Sequence, residues 1–255
     1  MESNLHPDMA RALLEWQCDM GAIDPIGDMP VDRYALPEAN PWGRQARQAA
    51  LAVPVLDPVE SPVETAQKAA KGAGTLDALR AALATFDGCE LKKGARNLVF
   101  ADGTPSARVV IVGEAPGREE DRAGRPFVGQ AGQFLDRMLA EIGLSRESNV
   151  YITNVLPWRP PQNRTPTGEE IAMMLPFVIR HIELIAPEVI VVMGNTSTKA
   201  LLDKSGITRL RGHWHEALGR PVLPMLHPAY LLRNPIAKRE TWADLLALQA
   251  RLRDG

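Results

Sequence analysis

The sequence is poor in cysteine. Cys18 and Cys89 are the two it holds in 255 residues, too few for a disulfide framework, and the four closely spaced ligands of a structural zinc are missing. Long hydrophobic runs are missing as well. No stretch approaches the roughly 18 apolar residues of a membrane span, and residues 1–21 lack the basic region, apolar core and small-residue cleavage site of a secretory signal. A soluble, cytoplasmic protein with no membrane partner is expected. Nor is there an excess of positive charge: the net charge is −2, which excludes a strongly cationic coat for nucleic acid. The charge is uneven, however. Lys204, Arg209, Arg211, Arg220, Arg233, Lys238 and Arg239 face Glu216 alone in their segment, which reads either as a local phosphate-contacting patch or as a solvated face.

What is present divides the chain in two. Residues 9–20 are weakly amphipathic, and turn-rich sequence follows. Between residues 53 and 63, Pro54, Pro58 and Pro62 alternate with acids and valines, which predicts an extended linker, because proline fixes φ and removes a donor. Thr75 is placed to cap a helix whose buried face is Leu76, Leu79, Leu83 and Phe86. No internal repeat is visible. From residue 107 the pattern becomes regular. Apolar runs at 109–112, 150–155, 189–193 and 221–226 read as strands, and Phe134, Leu135, Met138, Leu139 and Ile142 recur at helical spacing. Thr167-Gly168-Glu169-Glu170 is a capping box opening a helix through Ile185, and 242–252 is a closing amphipathic helix. The alternation predicts a three-layer α/β/α fold with a mostly parallel central sheet of about four strands. It places an N-terminal helical and linker extension at 1–75 and the main domain at 76–255.

In such sheets, ligands bind at the carboxyl ends of the strands. Those ends carry Gly113-Glu114, Asn154, Gly194-Asn195 and His227, so polar groups gather where the architecture expects a site. Each has a plain reading too. The turn from Gly113 to Gly117 suits any strand-to-helix junction, and Glu119, Glu120 and Asp121 would complement a helix N-terminus. Phe127 would be core, Asn154 a strand cap, and His227 a satisfied structural histidine. His213 and His215 could join His227 around a metal, but no carboxylate accompanies them, and Trp214 between them suits a strand. No metal site is expected.

The segments GEAPGREEDRAGRPFVGQAG, YITNVLPWRPPQNRTP, IELIAPEVIVVMG, GITRLRGHW and HPAYLLRNP occur in that order over about 76–252. Together they resemble the uracil-DNA glycosylase superfamily, most closely its family 4, which typically carries an iron–sulfur cluster. The resemblance implies hydrolysis of the bond between uracil and deoxyribose in single- or double-stranded DNA, as part of base-excision repair. It implies that Phe127 stacks on the base, Asn154 reads its amide edge, and a neutral His227 donates toward the uracil O2. Gly113, Glu114 and Ala115 would contact the base and hold the attacking water. Some families place an aspartate where Ala115 stands, so Glu120 or Glu114 would position the water here, and the sequence leaves both open. Leu231 and Leu232 would wedge into the space of the extruded base, while Arg233 and Arg164 would grip phosphates. No lysine is poised as a Schiff-base nucleophile, so a monofunctional, monomeric enzyme is expected.

The sequence departs from family 4 at the cluster. Cys89 is in register with one ligand, but the other positions fall at Phe86, Trp158 and Met174. One thiolate cannot hold four irons, and no cofactor is expected. Two alternatives stand beside this reading: a glycosylase for another deaminated base, and a protein that binds uracil or DNA without excision, with a protein partner held through residues 1–75.

Overall fold

The computed structural model describes residues 7–20 and 60–254. The chain divides into two compact units, Met1–Pro58 and Val59–Gly255. In the first, helix α1 (Pro7–Asp19) bears exposed Met9, Leu13, Leu14 and Trp16. Most of the linker expected at 53–63 lies outside the described residues, but its end does not. Ser61 caps a helix, α2 (Pro62–Gly72), through a full capping box with Glu64, and Pro62 occupies a first-turn position where its missing N–H costs nothing. Helix α2 buries Ala66 and Ala70, so the expected boundary at residue 75 falls inside the second unit.

Thr75 accepts the Ala78 N–H and opens α3 (Leu76–Thr85), whose Leu79 and Leu83 are buried. A short α4 (Leu91–Gly94) leads to the sheet. Its strands are β1 (Asp102–Gly103), β2 (Val109–Gly113), β3 (Val150–Asn154), β4 (Val189–Met193), β5 (His215–Ala217) and β6 (Arg220–Met225), in the order β1-β3-β2-β4-β6-β5. The four expected strands form the parallel centre. Two short antiparallel edges, β1 and β5, make the sheet six-stranded rather than four.

The alternating faces of these strands build two cores. Val110, Val112, Tyr151, Ile190 and Val192 face one layer, packed with Leu79, Leu83, Phe177 and Val178. Phe177 and Val178 belong to α7 (Gly168–Ile185), which follows α5 (Arg118–Ala123) and α6 (Gln130–Ala140). Val109, Ile111, Ile152, Val191 and Leu223 face the other layer, with Leu135 and Leu139 of α6 and Leu245 and Leu248 near the C-terminus. Burying both faces is what a parallel sheet requires, and it explains why the strands read as unbroken apolar runs.

The register fixes the site. Gly113 of β2 lies opposite Asn154 of β3, and the pairing continues past the strand ends, where Val155 and Leu156 donate to the Gly113 and Glu114 carbonyls at 3.0 Å. Across the sheet, Met193 pairs with Met225, and the Gly194 N–H donates to the Met225 carbonyl at 3.1 Å. Gly113, Asn154, Gly194 and His227 therefore share one edge.

Candidate active site

At that edge a cavity of about 410 Å³ opens. Its wall includes Glu114, Ala115, Glu120, Phe127, Asn154 and His227, together with Arg164 and Arg233. The Phe127 and His227 rings are near-parallel, with centroids 5.3 Å apart. Gly113 makes room for this arrangement: a Cβ there would lie 2.6 Å from the Phe127 ring and collide with Asn154 Oδ1. Asn154 Oδ1 is buried and has no hydrogen-bond partner among the described residues. A buried acceptor left open costs free energy unless a ligand supplies the donor.

His227 caps a short helix, α8 (Pro228–Arg233), and its Nδ1 accepts the Ala229 N–H at 3.2 Å. An accepting Nδ1 carries no proton, so the neutral ring bears its proton on Nε2. Burial lowers the His227 pKa to about 4, with the nearby Arg233 charge acting the same way and Glu120 opposing. At neutral pH this is an uncharged donor at the cavity wall.

The two glutamates differ sharply. Glu120 accepts from the Gly117 N–H at 3.1 Å, the Val128 N–H at 3.0 Å and the Gly129 N–H at 2.9 Å. It thereby ties the glycine-rich turn to the loop that carries Phe127. The Glu114 carboxylate makes no hydrogen bond among the described residues and is half-buried at the cavity wall.

The residues expected to meet DNA separate. Leu231 is fully buried with Ile207 and Leu226 and cannot act as a wedge without unmaking that cluster, whereas Leu232 is 40% exposed. Arg233 is exposed beside the cavity. Arg164 is not a free cation: it makes a forked ion pair with Glu170 at 2.6 and 2.9 Å. Within the basic segment, Arg211 is likewise taken up by Asp244 and by the Glu240 carbonyl. Tyr230 also lines the cavity, its hydroxyl 2.9 Å from Asn234 Nδ2. Sequence reasoning missed it, although it lies between two expected residues.

Phe86, Cys89, Trp158 and Met174 belong to one buried core, where Phe86 meets Phe177 edge-on at 5.5 Å. Burial raises the Cys89 pKa, which favours the thiol over the thiolate a cluster needs. One protonated thiol among three side chains that offer no thiolate does not fit a four-iron cluster. His215 lies with its Nδ1 3.2 Å from Lys204 Nζ, and no group of three His, Cys, Asp or Glu residues is arranged to hold a metal ion among the described residues.

Residues 100–246 match the model of the Uracil DNA glycosylase superfamily. A type-4 uracil-DNA glycosylase of Thermotoga maritima is 48% identical over 149 residues, covering 57% of this chain and 77% of that protein. The type-4 uracil-DNA glycosylase of Archaeoglobus fulgidus is 43% identical over 165 residues, 61% and 82% of the two chains. That of Pyrobaculum aerophilum is 40% identical over 179 residues, 67% and 91%.

Proposed function

The chain belongs to the uracil-DNA glycosylase superfamily, and we propose that it hydrolyses the N-glycosidic bond of uracil in DNA as a monofunctional enzyme of base-excision repair. The observation that carries this reading is the cavity between the Phe127 ring, the open Asn154 Oδ1 and the neutral His227. A base leaving the stack needs a planar apolar partner and an edge to pair with. Phe127 supplies the first. Asn154 supplies the second: its Oδ1 accepts the uracil N3–H and its amide N–H donates to O4. Cytosine presents an acceptor and an amine at those two positions, so both contacts fail.

As the glycosidic bond breaks, negative charge grows on the uracil O2. His227 donates its Nε2 proton to that oxygen as a hydrogen bond, placed in advance of the charge it stabilises. Glu114, with a carboxylate unpaired by protein, orients the water that attacks C1′. Glu120 holds the turn and the Phe127 loop in register. No lysine lines the cavity among the described residues, which supports direct attack by water and an abasic product with an intact strand. Leu232 enters the vacated stack, and Arg233 holds a flanking phosphate. Arg164 joins it when a phosphate shares its guanidinium with Glu170.

The same reading includes a cluster-free core. Its support is the single buried thiol and the apolar side chains at the other three positions. Purified protein is expected to be colourless, with iron far below one atom per chain. A brown protein with stoichiometric iron refutes this part alone. The enzyme acts as a cytoplasmic monomer, and the exposed apolar residues of α1 support a protein contact through the N-terminal region.

Oligonucleotides carrying one uracil, hypoxanthine or xanthine, single-stranded or paired, test the substrate. Uracil is expected to be released faster than either purine. Equal or faster purine release assigns the other deaminated bases instead. Tight binding with no release from any strand makes this a recognition protein.

A further inference from the structure

We propose that Arg146 is a positioning residue for base recognition, holding Phe127 in place through its backbone and touching neither base nor water. This rests on the reading of Phe127 as the stacking ring. Phe127 has φ of +52°, a left-handed conformation that a bulky side chain keeps only where its surroundings impose it. Three features impose it. Gly132 leaves space where a Cβ would lie 2.7 Å from the Phe127 Cα and collide with its carbonyl. Glu120 accepts the two N–H groups that follow Phe127. Arg146 binds the two consecutive carbonyls, of Pro126 at 2.8 Å and of Phe127 itself.

Arg146 is suited to this by its planarity. A guanidinium has five N–H donors in one fixed fork, and all five are used. Nε and Nη2 hold Asp136 at 2.7 and 3.3 Å, Nη1 holds Asp102 at 3.0 Å, and the remaining two donors take the carbonyls. Asp136 lies on α6 and Asp102 on β1, so the loop is pinned to a helix and to the edge of the sheet. The side chain is 11% exposed. It borders a second cavity that is lined also by Phe127, Asp102, Arg125 and Asp136. Lysine offers three donors in a tetrahedral array and cannot span both carbonyls and both carboxylates.

The test is single-turnover uracil release by the wild type, Arg146→Lys, Phe127→Ala and the double variant. A stacking ring displaced by about 1 Å is expected to cost on the order of 30–100-fold in the maximal rate, with the half-saturating DNA concentration moving less than threefold. Adding Arg146→Lys to Phe127→Ala is expected to cost nothing further, because the ring it positions is gone. A purely structural arginine would instead give losses that multiply in the double variant, and that result overturns the inference. So does an Arg146→Lys enzyme of unchanged maximal rate. Should Arg146→Lys not fold, Asp136→Asn loosens the same guanidinium and carries the same comparison, with a smaller loss expected. A wild type that releases no uracil overturns the functional reading and this inference together, whereas an active wild type with an unaffected variant overturns this inference alone.

Discussion

His227 shows how one residue acquires a chemical task from its setting. An apolar strand delivers it to the sheet edge, a proline after it starts a helix, and the first N–H of that helix, that of Ala229, donates to Nδ1. The proton left on Nε2 faces a cavity, and burial keeps the ring neutral to about pH 4. Replacing His227 with alanine is expected to lower the rate of uracil release by about 10²–10³-fold, the loss typical of removing one preorganised donor to a developing anion. The step that needs neutral His227 should be level from about pH 8 to pH 5 and decline as pH approaches 4. A decline centred near 6.5 in the wild type would show an ordinary, solvated imidazole. Leu231 and Leu232 separate in the same way. Leu231→Ala, at a fully buried position, is expected to destabilise the fold by about 2–5 kcal/mol. Leu232→Ala is expected to leave the melting temperature unchanged and to slow release from double-stranded DNA more than from single strands. Thermal melts and paired substrates distinguish the two. Sequence placed His227, Phe127 and Asn154 because each follows an informative pattern. Arg146 had no such mark, since its four partner residues come from segments up to 44 residues away in sequence and are gathered only by folding.

At the level of elements, the four central strands were legible because burial on both faces makes them continuous apolar runs. The edges were not. Asp102–Gly103 is two polar or unsubstituted residues with no period to read, and of the three-residue strand His215–Ala217 only its start was marked, by Trp214 between two histidines. Helix α2 was obscured by the prolines before it, although Pro62 sits where a helix accepts proline. Its small residues Ala66 and Ala70 let it lie close against α7. A chain starting at Ala73 is therefore expected to melt at least about 5 °C below one starting at Val59, from the loss of a packed layer worth a few kcal/mol. Equal melting temperatures would place α2 outside the cooperative unit.

For the whole molecule, the near-neutral charge balance leaves DNA contact to a few groups at one edge, and ion pairs already occupy Arg164 and, in the basic segment, Arg211. Stability should carry the mark of two histidines held neutral inside the fold. His181, fully buried and 3.0 Å from the Tyr151 hydroxyl, is lowered to about 3, and His227 to about 4. Below the unfolded value near 6.5, the unfolded chain binds protons that the folded chain refuses. Their contribution is thus fully present above about pH 6.5 and is lost progressively as pH falls through 4 toward 3. Denaturant midpoints measured between pH 7 and pH 4 should fall over that window, and Phe in place of His181 should flatten part of the slope.

The most direct test of the account is the rate of free-uracil release from a single-stranded oligonucleotide with one uracil, for the wild type and His227→Ala. The account predicts stoichiometric uracil, a strand that breaks only after alkali, and a variant slowed at least about a hundredfold. Release unchanged in His227→Ala, or strand cleavage without alkali, would contradict it.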